Sequence, residues 1–231
     1  MHSFYTEELS DDIAFLGEED ARHALRVLRL REGEKIAIVA FGARYEAAFA
    51  VLDGRAAARI VGTLPGTEPK VRVTLYQALA KGEHMEYAFQ KCTEAGVSRF
   101  VPCLMSRCVV RETGNRHARW QRITREAGKQ SQRTELPEVA PLISFDALCD
   151  ALRGHEQAFV PWENAQGEGI RTFYQGATDV AVVIGPEGGI TEEEMALLPA
   201  RSVSLGPRIL RTETAGLVAA IEIFTLSGDI P

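Results

Sequence analysis

Long apolar runs, paired cysteines and nucleotide-binding signatures are missing from this 231-residue chain, and each absence removes a class of function. No stretch approaches the roughly 18 apolar residues of a membrane-spanning helix, so no membrane association is expected. The opening MHSFYTEELSDD is acidic and lacks the basic-then-apolar layout of a secretory signal. Cys92, Cys103, Cys108 and Cys149 form no C-x-x-C pair, which predicts reduced thiols in a cytoplasmic protein and no metal site. There is no G-x-x-x-x-G-K-[ST], which disfavours nucleotide hydrolysis. The one G-x-G, Gly167-Glu168-Gly169, has Thr172 where a dinucleotide fingerprint needs a third glycine. Internal repeats and low-complexity tracts are absent as well.

An excess of positive charge is also lacking overall, since the net charge is −6, which argues against an indiscriminate nucleic-acid binder. The charge is unevenly spread, however. Between Arg99 and Thr134 stand nine basic residues, among them Arg107, Arg119, Arg122 and Arg133, against Glu112 and Glu126. A smaller cluster holds Arg22, Arg26, Arg29 and Arg31. Concentrated positive charge on an acidic protein is compatible with one face for a polyanion or with a solvated helix face.

Two composition regimes follow each other. Residues 19–30 carry Ala21, Ala24, Leu25, Val27 and Leu28 on one side and arginines on another, a helical pattern. Strand-like runs at 35–40, 44–52 and 55–64 follow, separated by Gly42 and the hairpin signal Asp53-Gly54. This predicts a small β-rich module over 1–66, closed by the linker Leu64-Pro65-Gly66-Thr67-Glu68-Pro69. From residue 70 to 231 strands and helices alternate: a strand at 71–79, a helix at 83–95 ended by Gly96, a strand at 100–104 and a basic helix at 116–132. Such alternation predicts an α/β domain with a mostly parallel sheet.

Near the C-terminus two similar devices occur in succession. VAVVIGPEGGITEEE runs from a β-branched strand through Gly185, Pro186, Glu187, Gly188 and Gly189 to a helix whose capping box is Thr191 with Glu194. VSLGPRILRTETAGLVAAIEIF repeats the plan, with Gly206-Pro207 as the turn and Thr212 or Thr214 as candidate caps. Two strand ends deliver Gly-Pro turns to one edge of a sheet, where open α/β proteins bind ligands.

The GPEGG turn at 185–189, combined with LGPRILRTETA at 205–215, resembles the RsmE family of ribosomal RNA uridine-N3 methyltransferases. The similarity extends to KGEHMEYAFQKCTEAGV at 81–97, SRC at 106–108, EAGKQSQR at 126–133 and HALRVLR at 23–29, so it spans nearly the whole chain. The resemblance implies a SPOUT-type knotted (trefoil) methyltransferase domain over 70–231 and a PUA-like RNA-binding barrel over 1–66. The knot rests on resemblance alone, because threaded folds are rare exceptions to general topology rules.

The implied reaction moves a methyl group from S-adenosylmethionine to N3 of a uridine in 16S ribosomal RNA. By resemblance, Ile184, Gly185, Gly188, Gly189, Leu205, Gly206, Ile209 and Leu210 line the adenosyl pocket, joined by Pro186 and with Trp162 at its edge. Glu187 either contacts the cofactor or braces the loop. Arg211, directly after the second turn, is the candidate for stabilising an anionic uracil, with an ion pair to Glu213 or Glu187 as the structural alternative. Glu213 either accepts the N3 proton or serves the helix dipole. Arg107 and Arg133 fall at family motif positions for gripping RNA, and Lys81, His23, Arg22, Arg26, Arg29, Arg119 and Arg122 join them as RNA-binding candidates. A non-catalytic RNA-binding or ribosome-assembly module is the alternative function. The final helix is apolar nearly all round from Ala215 to Leu226, which calls for burial on several sides and points to a homodimer.

Overall fold

The strands fall into two separate six-stranded sheets in a computed structural model that describes residues 1–165 and 167–231. The chain divides accordingly into two compact units, Met1–Glu68 with Lys129–Glu135, and Pro69–Gly128 with Leu136–Pro231.

In the first unit the strands are β1 (Ser3–Tyr5), β2 (Leu9–Ser10), β3 (Ile13–Phe15), β4 (Lys35–Ala40), β5 (Ala43–Leu52) and β6 (Arg55–Leu64), in spatial order β1-β4-β5-β6-β3-β2. Only β1 and β4 pair in parallel. The β5–β6 hairpin turns at Asp53-Gly54 with φ of 50° and 76°, the two positive values that a tight hairpin of this type requires. Ile36, Ile38, Phe49 and Ala58 supply its buried core.

Between β3 and β4 lies α1 (Glu18–Arg22), which continues as a π-helical turn, His23–Leu28. Here the periodic reading fails in an instructive way. Of the expected apolar stripe only Ala24 is fully buried, while Leu25 and Val27 are exposed. The wider turn breaks the 3.6-residue register that would have kept those side chains on one face.

A second departure concerns Arg133. The residue is only 4% exposed, with Nε and Nη2 on Glu68 Oε2 at 3.0 and 2.5 Å. Glu68 Oε1 accepts the amides of Thr134 and Glu135 at 2.8 and 3.1 Å. One carboxylate therefore holds the returning segment 129–135 in the first unit, and Lys129 adds a bidentate contact to Asp20. Burial alone would raise the Glu68 carboxyl, but Arg133 and the two amides outweigh it and leave it below its usual range. That contribution to stability is present above the ordinary carboxylate range and is lost as the pH falls through the lowered value. Arg133 is thus a buried structural cation, since a guanidinium locked in this geometry has no surface to offer RNA.

The second unit holds β7 (Arg72–Ala78), α2 (His84–Ala95), β8 (Arg99–Cys103), α3 (Arg116–Gln130), β9 (Glu138–Val139), α4 (Phe145–Leu152), β10 (Gln157–Pro161), α5 (Ile170–Phe173), β11 (Asp179–Ile184), α6 (Glu192–Leu197), β12 (Arg201–Val203) and α7 (Thr212–Leu226). Its sheet order is β12-β10-β11-β7-β8-β9, and every pairing is parallel. Crossovers of this kind bury both faces, which explains the unbroken apolar run Val180–Ile184. Gly96 ends α2 in the left-handed region at φ 116°, with the Val97 amide reaching back to the Cys92 carbonyl. Trp120 of α3 is buried edge-on against Phe89 of α2. All four cysteines are free and buried, and burial pushes the Cys92 thiol up to about 12. Among the described residues no helix is long and apolar enough to cross a membrane, and no cluster of His, Cys, Asp and Glu could hold a metal ion.

Candidate functional site

The two central strands, β11 and β7, end at the same edge of the sheet, so the turns that follow them are neighbours by construction. In the β11 turn the Pro186 carbonyl accepts the Gly189 amide at 2.9 Å. Gly189 takes φ of 74°, and a Cβ there would run into the Glu163 carboxylate. A Cβ on Gly185 would lie 2.5 Å from Ile190 Cγ1, and one on Gly188 would lie 3.1 Å from Arg107 Cβ. These missing side chains are accounted for by packing within the protein. What the turn still offers a ligand is its backbone.

Other loops brace this turn. Glu187 Oε1 accepts the Lys81 amide at 2.7 Å, and Arg107 Nη1 donates to the Gly188 carbonyl at 2.8 Å. Glu194 completes the capping box with Thr191 and also accepts the Ser106 amide at 2.7 Å. The Trp162 indole N–H is directed at the Ile190 carbonyl, 3.4 Å away. Glu187, Arg107 and Trp162 therefore hold the loop, whatever else they touch; the bracing role weighed for Glu187 is the one its geometry displays.

The β12 turn differs. Gly206 has φ of 103°, and a Cβ there would meet nothing within 4 Å. Leu205 and Leu210 are half-buried, while Ile209 is 88% exposed. Apolar side chains beside bare, open backbone make a surface that suits a planar group with a polar edge. Thr212 ties the two turns together: its hydroxyl donates to the Gly185 carbonyl at 2.6 Å and accepts from Gln77 Nε2 at 2.8 Å. It is consequently not the cap of α7. That position belongs to Arg211, which makes no side-chain capping bond.

Arg211 and Glu213 flank Thr212 and face different surroundings. The Arg211 side chain is 82% exposed, with Nη1 4.0 Å from Glu213 Oε1. Glu213 is buried in the first turn of α7, and its Oε2 lies 3.1 Å from His84 Nδ1. A buried carboxylate thus carries a guanidinium near one oxygen and an imidazole at the other. The guanidinium can stabilise a developing anion, and the carboxylate can take up a proton. Gln77, His84 and Glu163 are parts of this site that sequence reasoning did not single out, and Thr212 entered it only as a candidate cap. The only local signal was that His84 opens a helix inside a quoted motif.

The basic candidates scatter. Arg22, His23, Arg26 and Arg29 are exposed around the π-helical turn of the first unit, with His23 edge-on to Phe4. In the second unit Arg119 binds Glu86 at 2.6 Å and Arg122 lies 3.7 Å from Glu126. The run of arginines along the sequence is therefore partly neutralised by acids, some from distant segments.

A family model described as RNA methyltransferase domain matches residues 67–223, and one described as RNA methyltransferase PUA domain matches residues 16–56. Ribosomal RNA small subunit methyltransferase E from Bacillus subtilis is 32% identical over 87% of this chain and 85% of its own length. The crystal structure of the like-named Neisseria gonorrhoeae enzyme bound to S-adenosyl methionine is similar over 98% of both chains, at 33% identity and a TM-score of 0.85. A putative methyltransferase from Legionella pneumophila, in complex with SAM, covers 96% of both chains at 29% identity and a TM-score of 0.80. The matches run through both units: the chain belongs to the RNA methyltransferase family.

Proposed function

We propose that this chain transfers a methyl group from S-adenosylmethionine to N3 of a uridine in 16S ribosomal RNA. The observation that carries the reading is the pairing of an open guanidinium, Arg211, with a buried carboxylate, Glu213, beside the open Gly206 turn. The donor, when bound, supplies an electrophilic methyl group on a sulfonium. The residues fit it: Leu205, Ile209 and Leu210 offer apolar walls, and the backbones of residues 185–189 and of Gly206 offer polar edges, while Ile184, only 2% exposed, belongs to the core beside them. Trp162 closes the rim.

Uracil N3 carries a proton and forms part of the pairing edge, so the base must be unpaired and turned outward before it reacts. Arg211 then stabilises negative charge developing at N3 and O4, a role that a permanently charged fork of donors suits. Glu213 accepts the proton. Exposed Arg22, His23, Arg26 and Arg29 of the PUA-like unit, with Lys81, Arg107, Arg119 and Arg122, bind the RNA backbone. We read the second unit as a SPOUT-type trefoil knot on family grounds. The functional species is a homodimer in the cytoplasm, the compartment in which four free buried thiols stay reduced. Its interface uses Leu217, Val218 and Ile221, apolar positions on α7 that the monomer leaves partly exposed.

Methyl transfer from labelled S-adenosylmethionine to 16S ribosomal RNA, followed by nucleoside analysis, tests the reading. N3-methyluridine is the expected product; a label on ribose or on another base would sink it. Light scattering across a dilution series tests the dimer, and an active 25.4 kDa species would refute it.

A further inference from the structure

Each methyl group gained by N3 releases one proton, and the site must pass that proton to water before it can turn over again. Arg211 cannot carry it, being already protonated at any working pH. Glu213 can receive it but is 9% exposed, so a proton left there has little direct access to solvent. His84 stands at the way out: its Nδ1 lies 3.1 Å from Glu213 Oε2, and its side chain is 37% exposed.

We infer that His84 is the proton outlet of Glu213, taking the proton on Nδ1 and releasing it to water. The inference rests on the proposed uridine methylation. In balance, the N3–H bond breaks and its electron pair stays on N3 to form the bond to the methyl carbon. The sulfur–carbon pair returns to the sulfonium sulfur. The proton moves to the Glu213 carboxylate, then to the imidazole, then to water. Imidazole suits this step because its two nitrogens accept and release protons near neutral pH. His84 acts through Glu213, so it is a positioning residue and relay rather than a group that touches the base.

The ionisable groups on neighbouring elements set the context. From α7 come Glu213 and Arg211. From the segment around His84 come Lys81, Glu83 and Glu86, the last already bound to Arg119 of α3. From the β11 turn comes Glu187, whose carboxylate accepts the Lys81 amide. Of these, Glu213 is the one in contact with the imidazole among the described residues.

The test is multiple-turnover methylation across a pH series with wild type, His84→Asn and His84→Gly, because the relay is needed between one turnover and the next. Asparagine keeps a polar amide close to the Nδ1 position but cannot relay a proton. His84→Asn is expected to slow methylation about 100-fold at neutral pH, the scale of general acid–base assistance. Its rate should then climb with hydroxide where the wild-type rate levels off, while calorimetric affinity for S-adenosylmethionine stays unchanged. Added imidazole should restore His84→Gly by tenfold or more. An independent readout is the His84 Nδ1 resonance in the ligand-free protein, which should shift in Glu213→Gln. A wild-type rate and pH profile in His84→Asn would overturn the relay, as would a slow His84→Gly that imidazole does not rescue. Failure of the uridine reading itself is seen separately, as a wild-type product other than N3-methyluridine.

Discussion

The turn after β11 and the turn after β12 are each built from an apolar strand end, a Gly-Pro step and a helix start, yet other loops hold the first far more than the second. Around Gly185–Gly189 the gaps left by glycine are filled by Ile190, Arg107 and Glu163, and the carboxylates of Glu187 and Glu194 fasten neighbouring amides. Around Gly206–Arg211 the backbone is open and the side chains of Ile209 and Arg211 stand in solvent. Thr212 is the hinge pin between them. The contrast teaches that glycine can serve two ends: close approach of the protein to itself, or access for something else. A braced turn fixes where the open one lies, and the open one is left to meet the ligands.

The largest effect expected from this division falls on the open side. Arg211→Ala should remove about 2–4 kcal/mol of transition-state stabilisation, the scale for one electrostatic donor in a preorganised site. The unfolding midpoint should hardly move, since an exposed side chain contributes within about 0.5 kcal/mol. Single-turnover methylation and urea unfolding on the same preparation check both halves. A destabilised but active variant would invert the comparison.

On the braced side the loss should appear in stability instead. Glu194→Ala removes the capping box of α6 and strips the Ser106 amide of its acceptor, so about 2 kcal/mol should be lost in urea unfolding. A shift below about 0.5 kcal/mol would mean that water replaces both bonds and that the brace is idle. Gly188→Val should cost less, about 1–2 kcal/mol, by pressing on Arg107 Cβ. Weakened binding of S-adenosylmethionine should then accompany the strain. Full stability with lost affinity would show that a ligand, not Arg107, needs that space.

What the sequence makes legible is whatever is decided within a few residues. The Thr191–Glu194 box, the Gly96 helix stop, the Asp53-Gly54 hairpin and the parallel β/α alternation all appear where local patterns put them. The misses are decided at a distance. Thr212 has the composition of a cap, but its hydroxyl is claimed by the Gly185 carbonyl, 27 residues earlier. Arg133 sits in a basic run, but Glu68 removes it from the surface. Arg119 and Lys129 keep acidic partners in Glu86 and Asp20, though Arg119 stays half exposed, so charge summed along the chain overstates the unpaired charge on the surface. His84 carries no mark beyond opening a helix until folding places Glu213 beside it. Motif matching gathers the right segments to the site; which side chains stay free within it is a tertiary outcome.

The smallest expected effect is also the sharpest probe of the open turn. Gly206 has φ of 103°, a conformation costly for any residue with a Cβ, yet a methyl group added there meets nothing within 4 Å. Gly206→Ala should therefore cost only backbone strain in the free protein, about 1 kcal/mol in urea unfolding. If the emptiness beside Gly206 is where the donor packs, the same methyl group should weaken binding of S-adenosylmethionine by more than that strain explains. Calorimetric titration against the measured unfolding shift separates the two contributions. Equal losses would leave the turn a mere connector between β12 and α7, while an affinity loss well in excess of the stability loss assigns the open space to the ligand.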